Sequence, residues 1–392
     1  MKLYRIVKIK RGKNSVNAII VDSRGKLFKT VFLKQVFDSI NLGVGSTFTC
    51  MLEENKNKFT GEVVYIVNEL DNINNSSKIE LSGYDQIKFC NKTIQNKNFK
   101  SAVCGGDNLK NWEFRQELNK CIRNKLFECG FDEYCTPTLM EQRGSSMVSP
   151  LSTITQYQGE KYLKITHETQ LKKVSYITLK SLFEIGYLSR NVNNGRDSLL
   201  NYLSLEAVAT KELDFILHDF YTYVLEKSIE LCTAMNIELR KGIEDYRIVD
   251  VLGAYLCTHK EFEATSFMIF YDKMKMEYIK RNVIYLNAPV YTPLAINSEF
   301  GVPLETKWYI NGSSVGHGYF GETNADLLEE KFIQQQLALK SKNIDAEIDD
   351  EFIKLVKYVG IETFSFNLGL DRYLYNIFNF ENVKSSSRVL GV

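Results

Sequence analysis

The sequence predicts an α+β protein, in which an N-terminal β-barrel precedes an antiparallel sheet with surrounding helices. Short strand patterns at regular spacing fill the first 70 residues, and helical patterns alternate with strand patterns from about residue 109. Near the other end, the stretch FSFNLGLDRYLYNIF, Phe364 to Phe378, changes from apolar alternation to helical spacing at Gly369. Arg372 lies in the first turn of that helix, where the helix dipole disfavours a cation, so the arginine indicates a function.

Composition is that of an ordinary globular protein, with 392 residues, 44% apolar and 25% charged. No apolar run reaches the roughly 20 residues of a membrane span, and the stretch MKLYRIVKIKRGK lacks the apolar core of a secretory signal. Eight cysteines without CxxC spacing indicate reduced thiols, and the four histidines show no ligand spacing. We therefore predict a cytoplasmic protein, and we predict no metal-binding residue.

Residues 1–75 are predicted to form an OB-type barrel. Five strand patterns, with the short helical stretch KQVFDSI after the third, follow the order of such barrels. Residues 1–40 contain ten Lys or Arg against two acids, a net charge of +8, so the remainder of this +1 chain carries −7. A basic barrel favours contact with a nucleic acid. The alternative is a solvated, lysine-rich surface.

A polar stretch, residues 76–108, is interpreted as a linker to a larger domain at residues 109–392. An amphipathic helix from Leu109 ends at Gly130, and the strand pattern that follows stops at Pro137. The remaining patterns first predict a helix at 169–180 and two antiparallel strands at 181–191 and 199–210. A helical insertion at about 211–285, which begins with a long helix, is predicted next. Strands at 282–290 and 305–320 and a helix at 325–341 follow.

Three segments carry motifs in a fixed order: the helix and strand that end at Pro137, the segment LFEIGYLSRNVNNGRDSLLNYLSLEA, and the C-terminal stretch. Between the last two lie PVYTPLA and YINGSSVGHGYFGETNA. This ordered set resembles the class II aminoacyl-tRNA synthetases, within them the lysyl/aspartyl/asparaginyl subclass and most closely its lysyl members. The resemblance spans nearly the whole chain. It implies an anticodon-binding OB domain, tRNA as a partner, and a homodimer with Pro137 at its interface.

The resemblance also implies that Arg190, Tyr202 and Arg372 bind ATP, with the two arginines as catalytic residues. Arg190 corresponds to the arginine that contacts the α-phosphate and stabilises the charge that develops there. Arg372 corresponds to the arginine that lies over adenine and contacts the γ-phosphate. Tyr202 occupies the aromatic position that stacks on adenine. The structural alternatives are an ion pair between Arg372 and Asp371 and a Tyr202 ring that belongs to the core.

For the amino acid, the resemblance implies three carboxylates. Glu168 and Glu206 correspond to glutamates that contact the α-amino group. Glu322 corresponds to the acid that contacts the lysine ε-ammonium, provided that the loop has one inserted residue. Three carboxylates in one pocket would favour a dicationic, lysine-like amino acid. The alternative is that these acids lie on the surface at strand ends.

Several positions depart from the family pattern. Lys307 and Ser314 stand where the family has acids that bind Mg²⁺ with ATP, and Val208 stands at an aromatic position near the substrate side chain. Lysine cannot coordinate magnesium, although its ammonium supplies positive charge. Lys307 therefore either binds ATP in place of one magnesium ion or marks a site that no longer forms adenylate. The loop between the two strands of the second motif, here called the motif-two loop, also departs from the family pattern, at Val192, Arg196, Asp197 and Ser198.

Two functions remain open from the sequence. In the first, a divergent paralogue of the lysyl enzymes uses ATP, with reduced magnesium binding, to form an aminoacyl adenylate and transfers it to tRNA or to a specialised-pathway substrate. No catalytic acid, base or covalent nucleophile is needed for that step. In the second, a non-catalytic paralogue binds tRNA, another nucleic acid or a partner protein. Pyrophosphate exchange with each amino acid distinguishes the two.

Overall fold

The computed structural model divides into two compact units, Met1–Glu117 with Arg388–Val392 and Leu118–Ser387. The predicted α+β fold is confirmed, because a curled N-terminal sheet precedes a large sheet with helices. The predicted domain boundaries remain predictions. The described residues are 2–22, 26–40, 42, 46–56, 63–67, 70–74, 86–89, 92–95, 107–141, 150–191, 200–210, 215–290, 292–341 and 347–378.

The curled sheet is built, in chain order, from β1 (Lys2–Arg11), β2 (Ser15–Asp22), β3 (Leu27–Leu33), the helix α1 (Lys34–Ser39), β4 (Thr47–Cys50), β5 (Leu52–Lys56), β6 (Val63–Val67) and β7 (Asp71–Asn74). Met51 alone separates β4, which pairs with β1, from β5, which pairs with β6. Since β6 pairs in parallel with β3, and β3 pairs through β2 with β1, the strands form one curled sheet with β5 and β7 at its edges.

Aromatic side chains fill the core enclosed by this curled sheet. The Phe32 ring lies 5.2 Å from Phe37 and 5.8 Å from Phe48, in edge-to-face contacts. Alternation along β2 adds Val16 and Ile20 to the same buried cluster. The predicted linker, by contrast, contains a hairpin of β8 (Gln86–Phe89) and β9 (Lys92–Gln95), because polar composition does not exclude strand pairing.

The remaining helices and strands are, in chain order, α2 (Asp107–Glu128), β10 (Asp132–Glu133), β11 (Leu139–Met140), β12 (Ser152–Thr155), β13 (Gly159–Leu163), α3 (Glu168–Thr178), β14 (Leu182–Ser189), β15 (Asn201–Thr210), α4 (Leu217–Met235), β16 (Tyr246–Asp250), α5 (Val251–Thr258), α6 (Ala264–Glu277), β17 (Asn282–Pro289), β18 (Leu304–Ile310), β19 (Ser313–Phe320), α7 (Ala325–Lys340), α8 (Asp350–Val359), β20 (Thr363–Gly369) and α9 (Leu370–Ile377). Three of these strands form a small separate sheet in the order β11-β13-β12. The large sheet has the order β10-β14-β15-β20-β19-β18-β17-β16. Across the described residues, no helix combines the length and apolarity needed to cross a bilayer.

The large sheet is mixed, whereas the sequence predicted an antiparallel one. Its outermost pairs, β10 with β14 and β16 with β17, are parallel. α5 and α6 connect β16 to β17, and such a helical crossover returns the chain in the same direction. The strand predicted to reach Pro137 already ends at Glu133, and the Thr136 amide beyond it donates to the Glu184 carboxylate (2.9 Å).

One face of the large sheet is covered by α4 and α9. The Phe366 ring of β20 lies 5.5 Å from Phe220 of α4, and the Trp308 ring of β18 lies 5.1 Å from Tyr373 of α9. Since side chains alternate along a strand, Asn367 and its neighbours in register face the opposite side. That opposite side carries the candidate site.

A two-residue turn fixes the register of β18 and β19. Asn311 and Gly312 both have positive φ (50° and 76°), as the tight hairpin turn that suits twisted strands requires. A Cβ on Gly312 would lie 2.9 Å from the Ile279 side chain, which adds a steric reason for glycine. The resulting register places His317 directly opposite Lys307.

Asn282 joins two parts of the core through hydrogen bonds, so its removal should destabilise the protein. The buried Asn282 amide accepts from Trp308 Nε1 (2.6 Å) and donates to the Ile243 carbonyl (2.8 Å). Asn282→Leu leaves both partners unpaired, which should cost about 2–4 kcal/mol of unfolding free energy. Urea denaturation followed by circular dichroism measures the loss. Gln334→Leu, at an exposed amide of α7, is the control, and equal losses in both variants would contradict the prediction.

Candidate active site

A row of polar side chains crosses the face of the large sheet opposite α4 and α9. Glu184 of β14 is opposite Glu206 of β15, and Glu206 is opposite Asn367 of β20. Asn367 is in turn opposite His317 of β19, which is opposite Lys307 of β18. Directly opposed residues of neighbouring strands share a face, so the five side chains form one transverse row. We call this the polar row.

Arg190 and Tyr202 contact each other where β14 and β15 meet the motif-two loop. The Arg190 guanidinium lies 5.0 Å from the centre of the Tyr202 ring, and it donates to the Ile165 carbonyl at 3.4 Å. The Arg190 amide donates to the Leu200 carbonyl (2.9 Å), which extends the pairing of the two strands. A cation and an aromatic face therefore lie side by side.

The charges that act on Tyr202 show which predicted residues are neighbours. Burial raises the pKa of the Tyr202 phenol well above its usual value; Arg190 and Arg372 oppose that rise, and Glu206 adds to it. These interactions require proximity. The geometry agrees, because Arg190 lies over the Tyr202 ring, Glu206 shares a face of β15 with Tyr202, and Arg372 begins a helix that is bonded to β15 through its neighbour Asp371.

Arg372 is exposed in the first turn of α9, as predicted, and its Nη1 donates to the Ser314 carbonyl (3.0 Å). The neighbouring Asp371 is buried, and its Oδ2 accepts from the Leu203 amide (2.7 Å), just beyond the last paired residue of β15 and β20. This bond fixes the start of α9 against β15. Arg372 is thereby positioned through its neighbour.

The two positions at which the resemblance implies magnesium do not fit that ion. The Lys307 ammonium pairs with the fully buried Glu305 (2.8 Å), and the second Glu305 oxygen lies 2.9 Å from His317 Nδ1. Burial alone would raise the pKa of Glu305, but His317 and Lys307 outweigh burial and lower it. Magnesium needs several hard oxygen donors, and the described residues contain no cluster of three metal-ligating side chains. We therefore assign no chemical step to magnesium.

Glu206 closes the start of α3. Its Oε2 accepts from the amides of His167 (2.6 Å) and Glu168 (2.9 Å) and from the Thr166 hydroxyl (2.6 Å). A helix N-terminus offers unpaired N–H groups and partial positive charge, so a carboxylate is stabilised there. The same contacts place Glu168 beside Glu206, as the resemblance requires.

Glu168 is the first residue of α3 and already has partners. Its carboxylate accepts from the Tyr319 hydroxyl (2.9 and 2.8 Å) and forms an ion pair with the buried Lys172 (3.0 Å). Burial alone would raise the pKa of Glu168, but Lys172 and Tyr319 lower it, so this carboxylate stays ionised.

Glu322 and Pro137 lie in other parts of the second unit. The Glu322 Oε1 accepts from the amides of Thr323 and Asn324 (both 3.1 Å), and its Oε2 pairs with Lys331 (2.7 Å). Pro137 is exposed, and its position at a dimer interface stays a prediction. Val208 is buried against Leu171 and Leu182, beneath α3. The predicted motif-two loop residues, Val192, Arg196, Asp197 and Ser198, lie outside the described residues.

Sequence reasoning missed Glu305, His317 and Asn367. Alternation in FSFNLG could have found Asn367, because it lies two positions from Ser365 and faces away from Phe366. The same rule puts Glu305 on the side of Lys307, two residues along β18. The pairing of β18 with β19, which depends on the turn, was needed to add His317.

Glu184 anchors one end of the polar row. Its carboxylate accepts from Lys164 Nζ (2.6 Å) and from the Thr136 amide and hydroxyl (2.9 and 2.6 Å), and it lies 3.1 Å from His167 Nδ1. Burial would raise the pKa of Glu184, but His167, Lys164 and Thr136 outweigh burial and lower the pKa to about 2. The charge is therefore stabilised by the folded protein.

Comparison with known proteins gives a family and several relatives. The family model for tRNA synthetases class II (D, K and N) matches residues 104–387. Lysine–tRNA ligase of Mycoplasma genitalium is 26% identical over 303 residues, which cover 66% of this chain and 60% of that protein. Lysine–tRNA ligase of Mycoplasma capricolum is 20% identical over 326 residues, which cover 72% and 64%. The chain thus matches less than two thirds of the length of these relatives.

Two solved structures share the fold. Asparaginyl-tRNA synthetase from Pyrococcus horikoshii, complexed with asparaginyl-adenylate, has a TM-score of 0.70 at 13% identity, covering 98% of this chain and 93% of that chain. The Entamoeba histolytica asparaginyl-tRNA synthetase, also with asparaginyl-adenylate, has a TM-score of 0.69 at 14% identity, covering 99% and 94%. At such identity the likeness concerns the fold.

The lowered pKa of Glu184 predicts a pH-dependent contribution to stability. Because the folded pKa of about 2 lies below the usual 4.5, the stabilisation is complete above about pH 4.5 and is lost as the pH falls toward 2. Glu184→Gln should therefore be less stable than the wild type at neutral pH, and the difference should narrow over that window. Urea denaturation at a series of pH values measures it. Glu244→Gln, at an exposed acid, is the control, and a difference that widens on acidification would contradict the prediction.

Proposed function

The chain belongs to the class II tRNA synthetases of the D, K and N type, and we propose that it uses ATP to activate an amino acid and transfers the aminoacyl group to an acceptor. The assembly of Arg190, Tyr202, Arg372 and Glu206 in one neighbourhood supports this proposal above all. An aromatic face with an arginine beside it suits a nucleotide, and an anchored carboxylate suits an α-ammonium group. The chain matches part of its relatives' length, so its activity and substrates are proposals.

In the proposed reaction, a carboxylate oxygen of the amino acid attacks the α-phosphorus of ATP, and the bond to pyrophosphate breaks. The nucleophile and the leaving group are both anionic oxygens, so the step needs no proton transfer. Arg190 would stabilise the charge that develops on the α-phosphate, and Arg372 would bind the γ-phosphate until pyrophosphate leaves. An acceptor hydroxyl then attacks the aminoacyl carbonyl carbon, the bond from that carbon to the phosphate oxygen breaks, AMP leaves, and the hydroxyl proton passes to the departing phosphate or to solvent.

Lys307 would supply positive charge near the phosphates. Its ammonium is partly exposed and is fixed by Glu305, which is itself fully buried. This arrangement keeps a cation on the site face of the sheet without a metal ligand. The buried carboxylate thus serves as a positioning residue for Lys307 and His317.

The identity of the amino acid is a separate question. A lysine-like substrate, as predicted from the sequence, is supported by relatives that are lysine–tRNA ligases. It requires Glu168 and Glu322 to contact ligand ammonium groups, although each already pairs with a lysine of the protein. The contacts of these carboxylates favour an uncharged side chain instead.

We propose tRNA as the acceptor, since the family charges tRNA and the N-terminal unit carries exposed lysines at positions 8, 10 and 13. A specialised-pathway acceptor remains the alternative. The OB-type character of this unit, the homodimer and the cytoplasmic location are further proposals from the resemblance. Together, these proposals describe a ligase that would act on tRNA in the cytoplasm.

A non-catalytic role is the second candidate. The replacement of two magnesium-binding acids by Lys307 and Ser314, with Lys307 committed to an ion pair, favours it. In that case the basic N-terminal unit would bind nucleic acid without adenylate formation. Pyrophosphate exchange, measured with ATP and each amino acid, separates the two roles.

The two arginines should differ in what their removal changes. A charge-assisted hydrogen bond contributes about 1.5–3 kcal/mol, so Arg372→Ala should weaken ATP binding by about one to two orders of magnitude. Arg190→Ala should mainly slow pyrophosphate exchange, because its contact strengthens as charge develops on the α-phosphate. Calorimetry gives the ATP affinity, and the exchange assay gives the rate.

Arg247→Ala is the matched control, since Arg247 also lies over a tyrosine ring (Tyr278, 5.7 Å) but on β16, at the far edge of the sheet. It should leave ATP affinity and exchange rate close to wild type. Equal ATP affinity in the wild type, Arg190→Ala and Arg372→Ala would show that the proposed nucleotide site is wrong.

The N-terminal lysines should govern nucleic-acid binding. Reversing Lys8, Lys10 and Lys13 to Glu should lower the affinity for tRNA while amino-acid binding persists, because phosphate contacts would become repulsive. The wild-type affinity should fall steeply with added salt, since binding to phosphates releases counterions. Filter binding at several salt concentrations measures both effects.

The control reverses three exposed lysines of the second unit, Lys260, Lys273 and Lys280, and so changes the net charge equally. If this variant loses tRNA as strongly as the N-terminal one, overall charge and not the N-terminal surface determines binding. Wild-type binding that is independent of salt would also contradict the proposal.

A further inference from the structure

We infer that the amino acid bound by this site has one ammonium group, its α-amino group, and an uncharged side chain. The inference rests on the proposed amino-acid activation and specifies its substrate. It comes from the three predicted amino-acid-binding carboxylates, Glu168, Glu206 and Glu322, and from the contacts that each already makes within the protein.

Glu206 has an oxygen available for a ligand. Its Oε2 accepts three hydrogen bonds, from Thr166, His167 and Glu168, whereas no described residue donates to its Oε1. The carboxylate is therefore held in one orientation by the start of α3 and keeps one acceptor oxygen free. Such a group binds an ammonium through a charge-assisted hydrogen bond.

Glu168 is less suited to bind a ligand ammonium group. Both of its oxygens accept from the Tyr319 hydroxyl, and its charge is matched by Lys172, whose side chain is 1% exposed. A ligand ammonium at Glu168 would have to compete with a lysine that cannot reach water. Displacing Lys172 would leave a buried, unpaired charge, which is strongly unfavourable.

Glu322, the predicted partner of a lysine ε-ammonium, is occupied in the same way. Two backbone amides and Lys331 take both of its oxygens, and its side chain is 3% exposed. Without the inserted residue, the corresponding position is Gly321, which has no carboxylate. A Cβ on Gly321 would lie 2.7 Å from Thr363 Oγ1 and 3.3 Å from Lys172 Nζ, so protein groups already fill that space.

Of these three carboxylates, Glu168 and Glu322 are each paired with a lysine before any ligand binds, whereas among the described residues no ion pair is formed by Glu206. A second ammonium on the ligand would lose its hydration without gaining a free carboxylate. A carboxylate on the ligand side chain would also lose its hydration without gaining a partner from Lys172 or Lys331, because both lysines already pair with glutamates. An uncharged side chain avoids both costs, and the α-ammonium group matches the single open oxygen of Glu206.

Calorimetry of the full chain with the twenty amino acids and norleucine, beside pyrophosphate exchange, tests this inference. Norleucine is lysine without the ε-amino group, so the pair isolates that charge. We expect the tightest ligand to have an uncharged side chain and lysine to bind at least about tenfold more weakly than that ligand. A tightest ligand with a charged side chain of either sign, or no binding at all, overturns the inference. Binding of an uncharged amino acid without exchange would instead contradict the proposed activation alone.

Two isosteric variants add a second readout. Glu206→Gln should weaken the tightest ligand more than about tenfold, because its anchored charge is lost. Glu322→Gln should change the affinities for lysine and for the tightest uncharged amino acid by the same factor. A loss confined to lysine would show that Glu322 contacts a ligand ammonium, and would overturn the inference.

Discussion

The unbroken pairing of β15, β20 and β19 constrains the rest of the second unit. Side chains along these strands must alternate between two faces, so packing α4 and α9 against Phe366 and Trp308 forces Asn367, Glu206 and His317 to the other face. A slip of one residue would bury the polar row against the helices. The Asn311–Gly312 turn and the bond from Leu203 to Asp371 maintain this register at the ends of the strands.

Charge burial follows a common rule across this face. Glu184, Glu305 and Glu168 each pair with a lysine, at 2.6, 2.8 and 3.0 Å. Taking a carboxylate out of water is costly unless a cation and further hydrogen bonds accompany it. These pairs therefore keep ionised side chains fixed inside the protein while adding little net charge. In the proposed reaction, Arg190 and Arg372 would supply the positive charge that a triphosphate requires.

The sequence predicted most strands and helices because their apolar spacing is regular, as in β2, α4 and the change from strand to helix at Gly369. It also indicated Arg190, Tyr202, Arg372 and Glu206, which the fold places together. It could not predict the partner of Glu322, because Lys331 lies on a helix whose rotation depends on tertiary packing. The partner of Glu168 was within reach of the sequence, since Lys172 follows it by four residues on the same helix. The parallel edge pairs were missed for a similar reason, since strand direction is decided by the crossover and not by the strand's own residues.

The ion pair between Glu322 and Lys331 has a consequence for how such a site can change over time. Lys331 lies on α7 with part of its side chain in contact with solvent, whereas the Glu322 side chain is 3% exposed, so replacing the lysine would leave a buried charge unpaired. Its loss would release a carboxylate that is already oriented by two backbone amides. In the proposed amino-acid site, an ammonium group on the ligand could replace the lost cation, so one substitution would trade stability of the free protein for a changed preference in substrate charge.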